Sequence, residues 1–211
     1  MSLSRRAFLT AVPLAGLGGL AAFAELKLNP HTALGYLLPP NSALNPTPEC
    51  LDHDHHATHS ETEGPFYKPH TPERSVLRDA ATAGTPLTLR GRIFTDDCRP
   101  LAGAVVDVWS CDGNGVYDND GYRLRGHQFT DAGGAFTFET VKPRDYHQYG
   151  IHRTPHIHVK TQGRDTKLLT TQLYFPNEPL NAQDWFYRDD LLVKLERATP
   201  SAFLATFDFV L

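Results

Sequence analysis

The chain is predicted to fold as an all-β, antiparallel β-sandwich with an extended N-terminal arm and short helical insertions near the C-terminus. Three observations lead there. Residues 87–94 and 135–140 alternate apolar and polar side chains with the period of two that a half-buried strand requires. Turn clusters, among them Thr95-Asp96-Asp97, Gly113-Asn114-Gly115 and Asp131-Ala132-Gly133-Gly134, separate such segments at short intervals. The 211 residues, 40% hydrophobic and 21% charged, support one sizeable core and are too few for a two-domain barrel or dinucleotide architecture.

Taken in order, Leu87-Thr88-Leu89-Arg90-Gly91-Arg92-Ile93-Phe94 reads as a first strand ending in the Thr95 turn, and Ala104-Val105-Val106-Asp107-Val108-Trp109 as a second. Gln128-Phe129-Thr130 leads into the Asp131 turn and the strand over 135–140. Strands over 156–161, 168–175 and 202–210 complete the set, and residues 181–196 hold a short helix or two. Residues 25 to about 60 contain Pro30, Pro39, Pro40, Pro46 and Pro48 with few periodic apolar positions, so they read as an arm without a core of its own. The expected division is a signal peptide over 1–24, the arm and a lead-in segment over 25–85, and the sandwich over 86–211.

Ser4-Arg5-Arg6-Ala7-Phe8-Leu9 resembles a twin-arginine export signal, and Ala22-Phe23-Ala24 has the form of a cleavage site. An uncleaved anchor is the alternative; Pro13, Gly16, Gly18 and Gly19 interrupt the apolar stretch. The expectation is therefore export to the periplasm or outside by the twin-arginine machinery. Cleavage after Ala24 removes Arg5 and Arg6, taking the formal charge from −4 to −6. That balance offers no basic footprint for nucleic acid. In an oxidising compartment the three cysteines allow one disulfide. Cys98 and Cys111 flank a strand-length segment and are the expected pair, leaving Cys50 free.

Histidine is the compositional oddity, at 11 residues. His156-Ile157-His158 falls on a predicted strand, where side chains two apart share a face and can converge on one ion. Two satisfied core or surface histidines would be the plainer explanation. His147, His152, His156 and His158 could alternatively form a zinc or copper site. His53-Asp54-His55-His56 with His59 reads as a solvated linker, or as a weak divalent-metal binder.

The surrounding motifs sharpen the His-x-His reading. Glu61-Thr62-Glu63-Gly64-Pro65-Phe66-Tyr67 comes first, followed by the segment 103–109 and Cys111-Asp112-Gly113-Asn114-Gly115-Val116-Tyr117. Lys142-Pro143-Arg144-Asp145-Tyr146 lies upstream of the histidines, Arg153-Thr154-Pro155 leads into them, and the segment 169–175 follows. In this order they resemble the intradiol ring-cleavage dioxygenases, the catechol and protocatechuate 3,4-dioxygenase family.

That resemblance implies a mononuclear, non-haem ferric ion, Fe(3+), held by Tyr117, Tyr146, His156 and His158. It makes Tyr117 the ligand that stays and Tyr146 the one that leaves when substrate arrives. It puts Arg153 and Gln172 beside the substrate, and Pro65, Phe66 and Tyr67 at the mouth of the site. The implied partners are an aromatic diol and O2, and the implied product is a muconate-type diacid. The chemistry is consistent: ferric iron is a hard cation that suits phenolate and imidazole, and a trivalent ion can hold a tyrosine ionised at neutral pH. Arg153 would stabilise negative charge developing beside the ring, although a surface ion pair for Arg153 and an ordinary strand role for Gln172 remain open. The rival reading is a secreted β-sandwich metal-binding or carrier protein without turnover. The ring substituent of the diol and any homo-oligomeric assembly are left open.

Overall fold

The computed structural model describes residues 57–211. The signal, Cys50 and the His53–His56 run lie outside the described residues. Eleven strands are formed there: β1 (Pro86–Phe94), β2 (Val105–Trp109), β3 (Arg125–Phe129), β4 (Ala135–Val141), β5 (Tyr146–Gln148), β6 (Ile151–Arg153), β7 (His156–Gln162), β8 (Leu169–Tyr174), β9 (Lys194–Thr199), β10 (Ala202–Thr206) and β11 (Phe209–Val210). Single 3-10 turns at Asn181–Gln183 and Asp189–Leu191 are the short helical insertions.

β1 shows why the strands form. Leu87, Leu89, Gly91 and Ile93 are buried, while the intervening Thr88, Arg90 and Arg92 face outward. The first sheet is built on this strand, with β4 on one edge and β10 and β11 on the other, and β9 beyond β10. The second sheet has the order β3-β2-β7-β8. Their inner faces share one core, in which Leu89, Ile93, Phe138, Val106, Val108, Ile157, Val159 and Leu173 are buried. Each such side chain contributes about 1.5–3 kcal/mol on burial.

The second sheet is buried on both faces where it matters for function. Along β7, Ile157, Val159 and Thr161 point into the core; His156 and His158 point the other way and are equally buried. Register carries this outer face across the sheet: Arg125, Trp109, His158 and Gln172 stand opposite one another on β3, β2, β7 and β8. The cover comes from the lead-in segment. It is tied down where Glu61 N–H donates to the Thr170 carbonyl at 2.7 Å, and Phe66 packs into a second apolar cluster with Trp109, Cys111 and Tyr117.

The expected β-sandwich is formed, mostly from antiparallel pairs, with β1 also running parallel to β10 and to β11. Two expectations are corrected. The expected strand over 202–210 is split by Phe207 and Asp208, because Phe207 N–H turns to the Arg90 carbonyl at 3.1 Å and an Asp208 carboxylate oxygen accepts from Arg92 N–H at 2.8 Å. Cys98 and Cys111 do not pair. Cys111 is a buried free thiol, and Cys98, in the turn after β1, is disulfide-bonded elsewhere. β2 runs away from that turn for about 16 Å at the usual strand rise, well beyond the span of a disulfide.

Candidate metal centre

His156 and His158 meet on the outer face of β7, with their Nε2 atoms 3.2 Å apart. His156 Nδ1 donates to the Thr154 carbonyl at 2.7 Å, which leaves Nε2 as the lone-pair atom. Burial pushes the His156 imidazole down to about 3, and burial with the neighbouring His156 holds His158 well below its ordinary value. Both rings are thus neutral at physiological pH, and a shared proton or a cation reconciles their close approach. Trp109, directly opposite His158, stacks on it with ring centres 4.7 Å apart and planes 3° from parallel. On the imidazole's edge lies Gly64, at φ +71, where a Cβ would come within 3.3 Å of His158 Cε1.

Tyr117 is delivered by the turn after β2. Asp112 accepts from the N–H groups of Asn114 (2.8 Å) and Val116 (3.1 Å), closing an Asx-type turn. Gly115, at φ +77, lets that turn pack against the strand bearing Tyr146, since a Cβ there would lie 2.7 Å from the Asp145 carbonyl oxygen. The Tyr117 and Tyr146 rings therefore sit edge to face, 5.5 Å apart. Tyr146 is 5.6 Å from the His156 ring, and Tyr117 is 6.5 Å from that of His158. Phe66 stacks on Tyr117 at 4.2 Å. The Tyr117 hydroxyl is buried and has no hydrogen-bond partner among the described residues. Burial pushes both phenols above the ordinary tyrosine value, and for Tyr146 the Arg153 charge works against that rise.

Arg153 stands opposite Tyr146 on the β5–β6 hairpin. Its Nε donates to the Asp184 carboxylate at 2.9 Å, and its terminal nitrogen donates to Gln172 Oε1 at 2.5 Å. Gln172 in turn donates to the Thr62 carbonyl at 2.9 Å, linking β8 to the lead-in segment. The surface ion pair that would have been the plain reading of Arg153 does not form; the pair is buried.

Two neutral imidazoles, a buried phenol with no hydrogen-bond partner among the described residues and a second phenol beside an arginine are donors suited to a hard trivalent cation. The alternatives do not assemble. Among the described residues no three His, Cys, Asp or Glu side chains are grouped to hold an ion. His147 and His152 face each other across the hairpin, and His152 is hydrogen-bonded to Asp145 at 2.8 Å. Tyr122 donates to the Pro69 carbonyl, Tyr149 sits at the exposed hairpin tip, and Tyr174 spends its hydroxyl on the Phe186 carbonyl at 2.7 Å. Tyr67 packs on Trp109 at 4.9 Å. Sequence reasoning missed Trp109, Asp184 and Arg125. Arg125 is a fully buried guanidinium that donates to the Phe66 carbonyl and lies 5.9 Å over the Tyr117 ring. Of the three, only Trp109 left a signal, as an aromatic on the outward phase of β2.

Comparison with known proteins agrees with this arrangement. The family model described as Dioxygenase matches residues 62–211. Catechol 1,2-dioxygenase of Candida albicans is 30% identical over 166 residues, covering 66% of this chain and 55% of its own length. The dioxygenase domain of a dioxygenase–carbohydrate-binding protein fusion from the cellulolytic bacterium Streptomyces sp. SirexAA-E superposes with a TM-score of 0.67 at 44% identity, covering 74% of this chain and 98% of that domain. 3-Chlorocatechol 1,2-dioxygenase from Rhodococcus opacus 1CP gives 0.69 at 27% identity, with 73% and 72% covered. The chain spans a little over half the length of the first curated relatives it matches. The match through the whole sandwich, together with the His-x-His strand and the two facing tyrosines, shows that the chain belongs to the intradiol ring-cleavage dioxygenase family.

Proposed function

We propose that the protein is an exported, mononuclear non-haem ferric dioxygenase. It opens a catechol-type ring between its two hydroxylated carbons and places both atoms of O2 in a muconate-type diacid. Tyr117, Tyr146, His156 and His158 would hold the metal. The observation that carries this reading is the convergence of two neutral imidazole nitrogens, 3.2 Å apart, with a buried phenol that has no hydrogen-bond partner among the described residues. The twin-arginine-like segment at Ser4–Leu9 supports export.

Fe(3+), held by these four residues, would supply Lewis acidity that favours the ionised form of phenol and diol oxygens and activates the aromatic ring toward O2. Tyr117, clamped between Phe66 and the Asp112 turn, is built to stay in place. Tyr146 is the less buried phenol and borders Arg153, so its Oη is the base placed to take a proton from an incoming diol hydroxyl. Arg153, fixed by Asp184, turns a permanent positive charge toward oxyanions forming beside the ring. Trp109, Phe66 and Gly64 pack against the centre and exclude water.

The test is oxygen uptake by the iron-loaded protein with catechol, protocatechuate and hydroxyquinol, set beside Tyr146→Phe. Uptake with at least one diol, reduced in the variant, supports the reading. Normal iron binding without uptake on any diol would leave a metal carrier instead.

A further inference from the structure

The β5–β6 hairpin bears Tyr146 and Arg153 at its base and turns through Tyr149-Gly150 at its tip. Against the tip lies a groove of about 360 Å3 lined by Gly150, Ile151, His152, Gln183, Trp185 and Phe186. Its apolar members are unusually open to solvent: Trp185 is 99% exposed and Ile151 50%. Tyr149 beside it is 78% exposed and is held at φ 53, a left-handed conformation uncommon for a tyrosine. Among the described residues no Asp, Glu, Lys or Arg lines the groove; its polar groups are His152, Gln183 and the Trp185 indole N–H. That chemistry selects an uncharged, flat, largely apolar occupant.

The groove is one residue away from the diol site. The Phe186 ring forms its wall and lies 4.5 Å under the Arg153 guanidinium. Phe186 is fixed by its own backbone: its N–H donates to Asp184 at 3.0 Å and its carbonyl accepts from the Tyr174 hydroxyl at 2.7 Å. Phe186 thus lies between Arg153 and the groove, so a diol bound beside Arg153 would touch the groove only through a group long enough to extend past Phe186.

We propose that the groove is a subsite for a second aromatic ring carried by the diol substrate, with Trp185 as the stacking platform and Ile151 as the facing wall. The inference rests on the dioxygenase reading of the neighbouring site and specifies its substrate class as aryl-substituted diols. The hairpin that supplies Tyr146 and Arg153 would then also present the specificity surface.

The experiment compares catechol with 4-phenylcatechol on the iron-loaded protein, by oxygen uptake for kcat/KM and by anaerobic titration for Kd. The enzymes are wild type, Trp185→Ala and Ile151→Ser. Both substitutions sit at exposed positions and should leave folding intact, which thermal unfolding checks. The expected result is that Trp185→Ala raises KM and Kd for 4-phenylcatechol at least five-fold and leaves those for catechol within two-fold, with Ile151→Ser following in the same direction. Equal changes for the two diols, or none for either, would overturn the subsite while catechol turnover kept the dioxygenase reading intact. Failure of the wild type to bind or oxidise either diol would remove both.

Discussion

Asp184 Oδ2 lies 2.9 Å from Arg153 Nε and accepts the backbone N–H of Thr154 at the same distance. One buried carboxylate therefore orients the arginine beside the candidate centre and anchors the chain two residues before His156. Asp184→Ala leaves the Arg153 charge buried and uncompensated, a change that typically costs about 3–5 kcal/mol. Asp184→Asn keeps the shape and removes the charge. It is expected to lower kcat/KM on a diol about ten-fold or more while the visible absorption of the iron-loaded protein stays unchanged. Loss of colour in step with activity would show that Asp184 serves the metal site rather than Arg153.

The two tyrosines should be separable. Tyr117 is stacked on Phe66 and its hydroxyl has no hydrogen-bond partner among the described residues, so on the proposed reading it would be the ligand that stays; Tyr146 lies at the less buried edge. Tyr117→Phe should lose most of its iron on dialysis together with its long-wavelength absorption. Tyr146→Phe should retain iron and turn over about a hundred-fold more slowly. Metal analysis and absorption spectra on both variants check this.

Gly64 lies at φ +71 against the His158 ring. Gly64→Ala adds a left-handed alanine, costing about 1–2 kcal/mol, and a methyl group 3.3 Å from Cε1. Weaker iron retention and a lower unfolding midpoint are expected, measured by chelator competition and chemical denaturation.

The metal-free protein should lose stability in acid. Folded His156 is pushed down to about 3 and His158 also lies low, whereas unfolded imidazoles titrate near their ordinary 6.5. The unfolded state thus binds more protons between those values, so stability is full above about 6.5 and falls as pH decreases toward 3. Urea denaturation at pH 7.5 and 5.5, with the iron removed, reads the difference directly.

Cys111 should be inert in the folded protein. Burial pushes its thiol up to about 12, so at pH 8 only about one molecule in ten thousand carries the thiolate that reacts. Peptide mapping after alkylation should find Cys111 modified in denaturant and untouched without it.

The legible part of the fold was the part whose burial alternates. β1 and β4 declare themselves because every second residue enters the core. β9, an almost wholly exposed edge strand, and the three-residue β5 and β6 carry no such alternation. The parallel pairing of β1 with β10 joins residues more than a hundred positions apart, and no local pattern encodes it. In the site, His156 and His158 were readable because a strand puts alternate residues on one face. The tyrosines became readable only through family resemblance. Asp184 is 31 positions from Arg153 and sits after a 3-10 turn, so nothing near it announced the pair. The mistaken cysteine pair came from treating closeness in sequence as closeness in space, with β2 lying between the two.

The most direct measurement is a turnover of the iron-loaded protein with catechol under 18O2, followed by mass spectrometry of the product. The expected result is an intradiol-cleaved diacid retaining both labelled atoms, formed by a red-brown protein and greatly slowed by Tyr146→Phe. A colourless preparation that holds zinc in place of iron, or an iron-loaded one that leaves catechol intact, would contradict it.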